Sequence, residues 1–345
     1  MDVAIVGCGF VLERHLRALE KVVGVEVVAL CDREPGRARQ AADLHRIREA
    51  FESLDELLAQ VGPQVVHVLT PPATHEDVSR MAMEAGAHVL VEKPMAVDGD
   101  SADAMIEAAR RNGVSLGVCH NFLFEPAVLK ARDLLARGDV GRIVGIEIFW
   151  RVHDPGGRYR ETEWIGELRG GALQEVAPHP ASLLCGLMRE PRLVSAVALG
   201  TDGTAAFDAL HVQMADEDAF GTFSISLAAH PHQVWVRIYG TRETLNLDLT
   251  TNTLTRLRVG GTGRARKLLR NLDHAAQLGL GTATGAMRLA SGSMVFGHAR
   301  LIQEYYRHLE AEQEPPVTGE DGRRVVRLLD EIWSAVGVAT PEGAT

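Results

Sequence analysis

Over residues 1–120, short apolar runs alternate with stretches of helical periodicity, and this alternation limits the fold more than any other feature of the chain. Residues 3–6 form an apolar run that breaks at Gly7, and Val11, Leu12, Leu16 and Leu19 then recur on one helical side. A second apolar run, residues 25–31, ends in Asp32, and Pro35 is placed to open the next helix in its first turn. Ser53 and Glu56 have the spacing of a capping box. A strand over residues 64–70 is stopped by Pro71 and Pro72, Thr74 is placed to cap a helix that Gly86 ends, and residues 87–91 run into Glu92-Lys93-Pro94. A helix through Ala109 closed by Gly113, then a strand over residues 114–119, complete the series. Strands that alternate with helices in this way predict a doubly wound parallel α/β sheet.

The rhythm then changes. A helix over residues 127–136 leads to a long strand over 143–152, a polar loop over 153–160 and a helix near Leu183. Residues 193–259 read as successive strands with short turns, including 220–228 and 234–239, which predicts a largely antiparallel open sheet flanked by helices, an α+β arrangement. Residues 260–292 are glycine-rich and weakly periodic, and two helices, 299–310 and 319–336, follow on either side of Pro315-Pro316. A length of 345 residues suits two domains, expected at 1–121 and 122–345.

Charge and cysteine content narrow the partners. A formal charge of −10 argues against nucleic acid, which needs a basic face; the basic run of Arg264, Arg266, Lys267 and Arg270 reads as a solvated helix face. The four cysteines, Cys8, Cys31, Cys119 and Cys185, form no Cys-x-x-Cys pair and fit reduced thiols. The absence of a basic and apolar leader and of any apolar stretch of membrane-spanning length gives the expectation of a cytoplasmic protein with no membrane partner.

Gly7-x-Gly9 between a strand and a helix lets a backbone approach a pyrophosphate, with Phe10 and Val11 completing the turn. Asp32 stands at the end of the second strand, where a carboxylate accepts hydrogen bonds from ribose hydroxyls. Together they predict a dinucleotide site; the plainer alternative is a tight turn with no ligand. Asp32 would repel a 2′-phosphate, which favours NAD, while Arg33 and Arg37 keep NADP open. Leu12 occupies the third fingerprint position, where glycine or alanine is usual. Lys93 falls at the end of a strand of the parallel sheet, the edge at which ligands bind, although a lysine there is by default a solvated charge. His230-Pro-His232 has no accompanying carboxylates, so no metal site is expected there.

Gly7-Cys8-Gly9 with His15, Thr70-Pro71-Pro72 with His75, Glu92-Lys93-Pro94, and Trp164 with the segment from Gly170-Gly171 through Glu175 to His179 resemble the glucose-fructose oxidoreductase and inositol dehydrogenase (Gfo/Idh/MocA) family over nearly the whole chain. The resemblance implies a Rossmann domain, a nicotinamide-dependent oxidoreductase, and a second domain whose open sheet forms homo-oligomers, here a dimer or tetramer. It carries catalytic roles to Lys93, as hydrogen-bond donor and proton relay, and to His179, as base. Glu175 takes the acid position, where the family has aspartate. Thr70, Pro71, Pro72, His75 and Asn121 are expected to line the cofactor cleft, Trp164 to wall the nicotinamide side, and Glu92 to hold the turn. Arg158, Tyr159 and Arg160 are candidates for an anionic substrate group. Pro178 interrupts any helix running from Ala172, so the helix is expected to start or kink there. The implied reaction is hydride transfer between NAD and a secondary alcohol or ketone of a sugar, sugar derivative or cyclitol. Alternatives are redox-neutral chemistry on a tightly held NAD, and a non-catalytic NAD-binding sensor or scaffold. The individual substrate is not legible.

Overall fold

The computed structural model of the chain describes residues 1–152, 163–166, 168–200, 207–258, 263–291 and 296–338. The polar loop with Arg158, Tyr159 and Arg160, and the side chains of Arg264, Arg266 and Lys267, lie outside the described residues.

The first 121 residues run β1 (Asp2–Val6), α1 (Leu12–Leu19), β2 (Glu26–Cys31), α2 (Arg37–His45), β3 (Glu49–Phe51), α3 (Leu54–Val61), β4 (Val65–Val68), α4 (His75–Glu84), β5 (His88–Val91), α5 (Gly99–Asn112) and β6 (Leu116–Val118). The six strands are all parallel in the order β3-β2-β1-β4-β5-β6. Val3 to Val6 and Val65 to Val68 are buried throughout, as a sheet covered on both faces requires. The order reverses between β1 and β4, and beyond the carboxyl ends of those strands such a sheet opens a crevice.

Local signals are mostly realised, with two corrections. Ser53 Oγ accepts from Glu56 N–H at 3.4 Å, the forward half of the capping box. Pro35, however, precedes α2: Gly36 is left-handed (φ +75°), and the helix begins only at Arg37. The Thr74 hydroxyl donates back to the Pro71 carbonyl at 3.0 Å, so it does not cap α4.

After residue 121 come α6 (Pro126–Ala136), β7 (Ile143–Arg151), α7 (Glu163–Gly166), α8 (Ala172–Val176), α9 (Pro178–Leu187), β8 (Arg192–Leu199), β9 (Ala209–Ala215), β10 (Phe220–Ser226), β11 (Gln233–Gly240), β12 (Glu243–Asp248), β13 (Thr253–Arg258), α10 (Arg264–Ala290), α11 (Gly297–Glu310) and α12 (Gly319–Ala335). Strands β7 to β13 form one sheet in the order β13-β12-β11-β7-β10-β9-β8, with β7 and β10 parallel and the remaining neighbours antiparallel. Its strands alternate: Ile146, Ile148 and Trp150 of β7 are buried, while Phe149 is exposed. The glycine-rich 260–292 stretch contains a 27-residue helix, α10, whose Leu268, Leu269 and Leu272 are exposed. Its half-buried stripe against β13 is His274, Gln277, Gly281 and Gly285, polar or glycine residues, so no apolar pattern marks the packed face.

The chain forms two compact units, Met1–Asn121 with Gly297–Arg327, and Phe122–Phe296 with Leu328 onward. In the first, the Tyr305 hydroxyl donates to the Val89 carbonyl at 3.1 Å, and a Cβ on Gly117 would meet the Tyr305 ring at 2.7 Å. Glycine is thus required on β6 where α11 packs. Among the described residues, no helix is long and apolar enough to cross a membrane.

The first unit also buries four histidines, His15, His67, His75 and His120. Burial disfavours the imidazolium in each and lowers its pKa, for His120 from 6.5 to about 4. Between those two values the unfolded chain binds a proton at His120 and the native state does not, so stability falls as pH drops through that window and levels off below it. For His120 alone the full loss is about 3 kcal/mol. Thermal unfolding followed by circular dichroism from pH 7 to 4 should show a falling midpoint, with a shallower fall in His120→Asn.

Candidate cofactor and catalytic site

The glycine turn is built by a backbone conformation that side chains resist. Gly7 has φ +100°, and a Cβ on it would lie 2.7 Å from Leu69 C and O. Its N–H donates to the Cys31 carbonyl at 2.8 Å, so β1, β2 and β4 converge on one glycine. Gly9 is the opposite case: it is exposed, and a Cβ there would have nothing within 4 Å. Phe10 is 59% exposed with the Arg14 guanidinium 4.9 Å from its ring centre, and Val11 is half-buried.

Asp32 is buried at the end of β2. Its Oδ2 accepts from Cys8 N–H at 2.8 Å and its Oδ1 from Glu34 N–H at 2.9 Å, with Arg37 3.6 Å from Oδ1. Two backbone donors fix the carboxylate, and its remaining lone pairs can serve hydroxyl donors. Arg33 is exposed beside it.

Further along the same edge, Pro71 is half-buried and Pro72 buried. The His75 ring ties two turns together, its Nε2 2.7 Å from the Thr70 carbonyl and its Nδ1 2.9 Å from that of Pro94. Burial lowers its pKa while those carbonyls oppose the shift. Thr70 Oγ1, Asn121 Oδ1 and both ring nitrogens of His120 are buried with no hydrogen-bond partner among the described residues. Buried polar atoms are normally paired, so this group, beside the open approach at Gly9, fits a polar ligand such as a dinucleotide.

Lys93 follows β5 and is half-buried, and its N–H donates to Glu92 Oε2 at 3.1 Å. Glu92 is buried, and its Oε1 lies 3.0 Å from His15 Nε2 and 3.4 Å from His298 Nε2. Burial pushes the Glu92 carboxyl up, but hydrogen bonds from the two imidazoles outweigh it and hold the group well below the usual carboxylate range. A concavity of about 660 Å³ lined by His88, Ser115, Leu116, Leu309 and Pro315 lies at the other edge of this sheet, where β5 and β6 begin. It brings together none of the residues above.

In the second unit, Glu175 lies on α8 and His179 on α9. The two helices divide at Ala177, whose φ of −57° and ψ of −31° remain helical, and Pro178 takes the first position of α9. A helix thus starts at Pro178, as expected, and Glu175 and His179 stand four residues apart across that junction. Glu175 is buried and His179 half-buried. The His179 ring stacks on Trp150 (centroids 5.5 Å apart, 11° between planes) and meets Phe122 edge-on at 4.7 Å. Trp164 is half-buried on α7. Gly170 is required because a Cβ would strike the Trp333 ring at 2.5 Å, and its N–H donates to Gln174 Oε1 at 2.8 Å.

Sequence reasoning missed Trp150, Phe122, His67, His298 and Tyr306. Trp150 and His67 sit inside strand runs and read as core, and nothing local in the sequence links residues 298 and 306 to a turn near residue 92.

The chain matches two family models, one described as an oxidoreductase family with an NAD-binding Rossmann fold over residues 1–120, the other as a Gfo/Idh/MocA C-terminal domain over residues 128–246. It is 31% identical over 244 residues to an uncharacterized oxidoreductase, ORF334, of Rhizobium meliloti, covering 67% of this chain and 71% of that one. To the 1,5-anhydro-D-fructose reductase of Ensifer adhaerens it is 24% identical over 355 residues, covering 99% and 95%. Against an uncharacterized Synechocystis oxidoreductase, 30% identical over 181 residues, the match spans about half of each chain, 52% and 49%. In fold it is similar to the WlbA dehydrogenase of Bordetella pertussis, solved with NADH and UDP-GlcNAcA, at a TM-score of 0.81 and 23% identity over 97% of this chain and 95% of that one. Two family models in tandem, a matching relative over two thirds of each chain and the strand order of both sheets agree: the chain belongs to the Gfo/Idh/MocA family of oxidoreductases with an NAD-binding Rossmann fold.

Proposed function

We propose that this protein is an NAD-dependent oxidoreductase acting on a secondary alcohol, or the corresponding ketone, of a sugar, sugar derivative or cyclitol. The observation that carries the reading is the carboxyl edge of the first sheet, where the turn at Gly7 and Gly9, Asp32, the partnerless Thr70 and Asn121 side-chain oxygens, and Lys93 all lie at strand ends. Relatives named as sugar dehydrogenases or reductases support the substrate class. In this reading residues 1–121 serve the dinucleotide and residues 122–345 the substrate and self-association.

NAD, when bound, supplies the hydride acceptor. Gly7, Gly9, Phe10 and Val11 let the backbone approach its pyrophosphate, Asp32 accepts from the adenosine ribose, and Asn121, Thr70, Pro71, Pro72 and His75 shape the cleft. Asp32 favours NAD over NADP, since a 2′-phosphate would meet its carboxylate, while Arg33 and Arg37 would be the partners of such a phosphate. His179 takes the hydroxyl proton as base; Lys93 donates a hydrogen bond to the reacting oxygen and relays the proton; Glu175 orients one or both. The Trp150 face stacked on His179 holds the ring plane. Trp164 walls the nicotinamide. Four cysteines without disulfides suit a cytoplasmic setting.

The sheet of the second unit carries α9 on one face, against β7 and β10. Its other face exposes Phe149 (43%), Phe220 (49%) and Trp235 (45%), with Trp235 directly opposite Phe149 across β7 and β11. Contiguous aromatic exposure of this kind marks an association surface, and we place homo-oligomer contacts there.

Three outcomes test these statements. In a screen of sugars, sugar nucleotides and cyclitols for nicotinamide reduction, Lys93→Ala and His179→Ala should each lower turnover by about 10²-fold or more; turnover surviving both would leave only a cofactor-binding role, and turnover without net NADH on a retained cofactor would point to redox-neutral chemistry. Gly9→Val should leave the melting temperature unchanged but weaken NAD binding by calorimetry about tenfold or more, because the added carbons fill the pyrophosphate approach. Phe149→Asp with Trp235→Arg should reduce the mass measured by light scattering to the 37.4 kDa monomer.

A further inference from the structure

The Glu92 carboxylate, in the turn after β5, is the end point of a chain of buried groups from three elements of the first unit, α1, β4 and α11. His15 of α1 places Nε2 3.0 Å from Glu92 Oε1 and Nδ1 2.9 Å from His67 Nδ1 of β4. His67 Nε2 lies 2.9 Å from the Tyr306 hydroxyl of α11. His15 and His67 have no exposed surface, and neither does Tyr306. Two further donors reach the carboxylate, His298 at 3.4 Å from Oε1 and the Cys119 thiol, while Oε2 takes the Lys93 N–H at 3.1 Å.

The protons in this chain have one consistent arrangement. Burial keeps both imidazoles neutral and the Tyr306 phenol protonated, while Glu92 is an anion and therefore only accepts. His15 must then carry its hydrogen on Nε2, which leaves Nδ1 bare to accept from His67. His67 must carry its hydrogen on Nδ1, which leaves Nε2 bare to accept from the Tyr306 hydroxyl. Each neutral group holds one proton and points it toward Glu92.

We propose that this one-way chain, Tyr306 to His67 to His15 to Glu92, holds the Glu92 carboxylate against the Lys93 amide and thereby positions Lys93. Glu92, His15, His67 and Tyr306 are positioning residues, and the inference rests on the reading of Lys93 as a group of the reaction. It gives the buried charge of Glu92 a complete set of donors without a bound cation. A ring nitrogen of His15, a carboxylate oxygen of Glu92 and Cys119 Sγ also lie within 4.8 Å of one another, close enough for a transition metal, and that is the competing explanation of the same cluster.

Two measurements on the full-length protein decide. Long-range proton–nitrogen correlation spectra of histidine-labelled protein at pH 7.5 should show His15 protonated at Nε2 only and His67 at Nδ1 only; a doubly protonated His15, or the opposite tautomers, overturns the chain. Lys93 is one of four lysines, with Lys21, Lys130 and Lys267, so ¹³C-dimethylation gives a readable lysine spectrum assigned with Lys93→Arg. Tyr306→Phe and Glu92→Gln should each move the Lys93 signal toward that of a freely rotating lysine while leaving the other three in place, and should lower turnover about tenfold with little change in KM. An unmoved Lys93 signal in folded Glu92→Gln, or a stoichiometric transition metal by elemental analysis, overturns the proposal. If the variants do not fold, the wild-type tautomers decide alone. Full turnover in Lys93→Ala would instead remove the functional reading and leave the hydrogen-bond chain standing.

Discussion

The backbone approach at Gly7 is the constraint on which the dinucleotide edge depends. With φ +100° and no room for a Cβ against Leu69, the turn after β1 is pressed onto the end of β4 across the point where the strand order reverses. Any other residue would have to push those strand ends apart, and the positions of Cys8, Asp32 and Thr70 relative to one another would be lost. The Cys8 N–H held by Asp32 and the Gly7 N–H held by Cys31 show the same economy: the turn directs its own donors to the end of β2.

A parallel sheet, being buried on both faces, pays for internal polar groups only when they are paired, and the first unit carries an unusual set of them. Glu92, His15, His67 and Tyr306 satisfy one another, whereas Thr70, His120 and Asn121 keep polar atoms without partners among the described residues. The contrast divides the buried polar residues by role. The first set is closed and makes the turn at Lys93 rigid; the second is open along the edge where a ligand would enter.

Much of this was legible in the sequence because the signals are local. Alternating apolar runs give the strand order's raw material, a glycine between strand and helix gives the turn, and Pro178 at the first position of α9 follows from its missing N–H. Signals that depend on partners were not legible. Thr74 has the chemistry of a cap, but a nearer carbonyl, that of Pro71, takes its hydroxyl. The packed face of α10 is His274, Gln277, Gly281 and Gly285 while its leucines face outward, so an apolar pattern could not mark it, and the aromatic box around His179 joins residues 122, 150 and 179 through tertiary packing alone. The grouping of residues 297–327 with the first unit has no local mark either, since an amphipathic helix declares that it has an apolar face but not what it covers.

That grouping bears on how the protein is made. Tyr305 fills the space over Gly117, Tyr306 ends the hydrogen-bond chain that starts at Glu92, and Thr318 pairs with Gly117 at the edge of the sheet. All three emerge from the ribosome about 200 residues after β5 and β6. During synthesis the six strands must wait, with apolar surface uncovered and with Glu92 and His67 lacking their contacts to His298 and Tyr306, while the entire second sheet is produced. The unit that begins the sequence is therefore among the last parts of the molecule to be finished, because it is completed by residues 297–327.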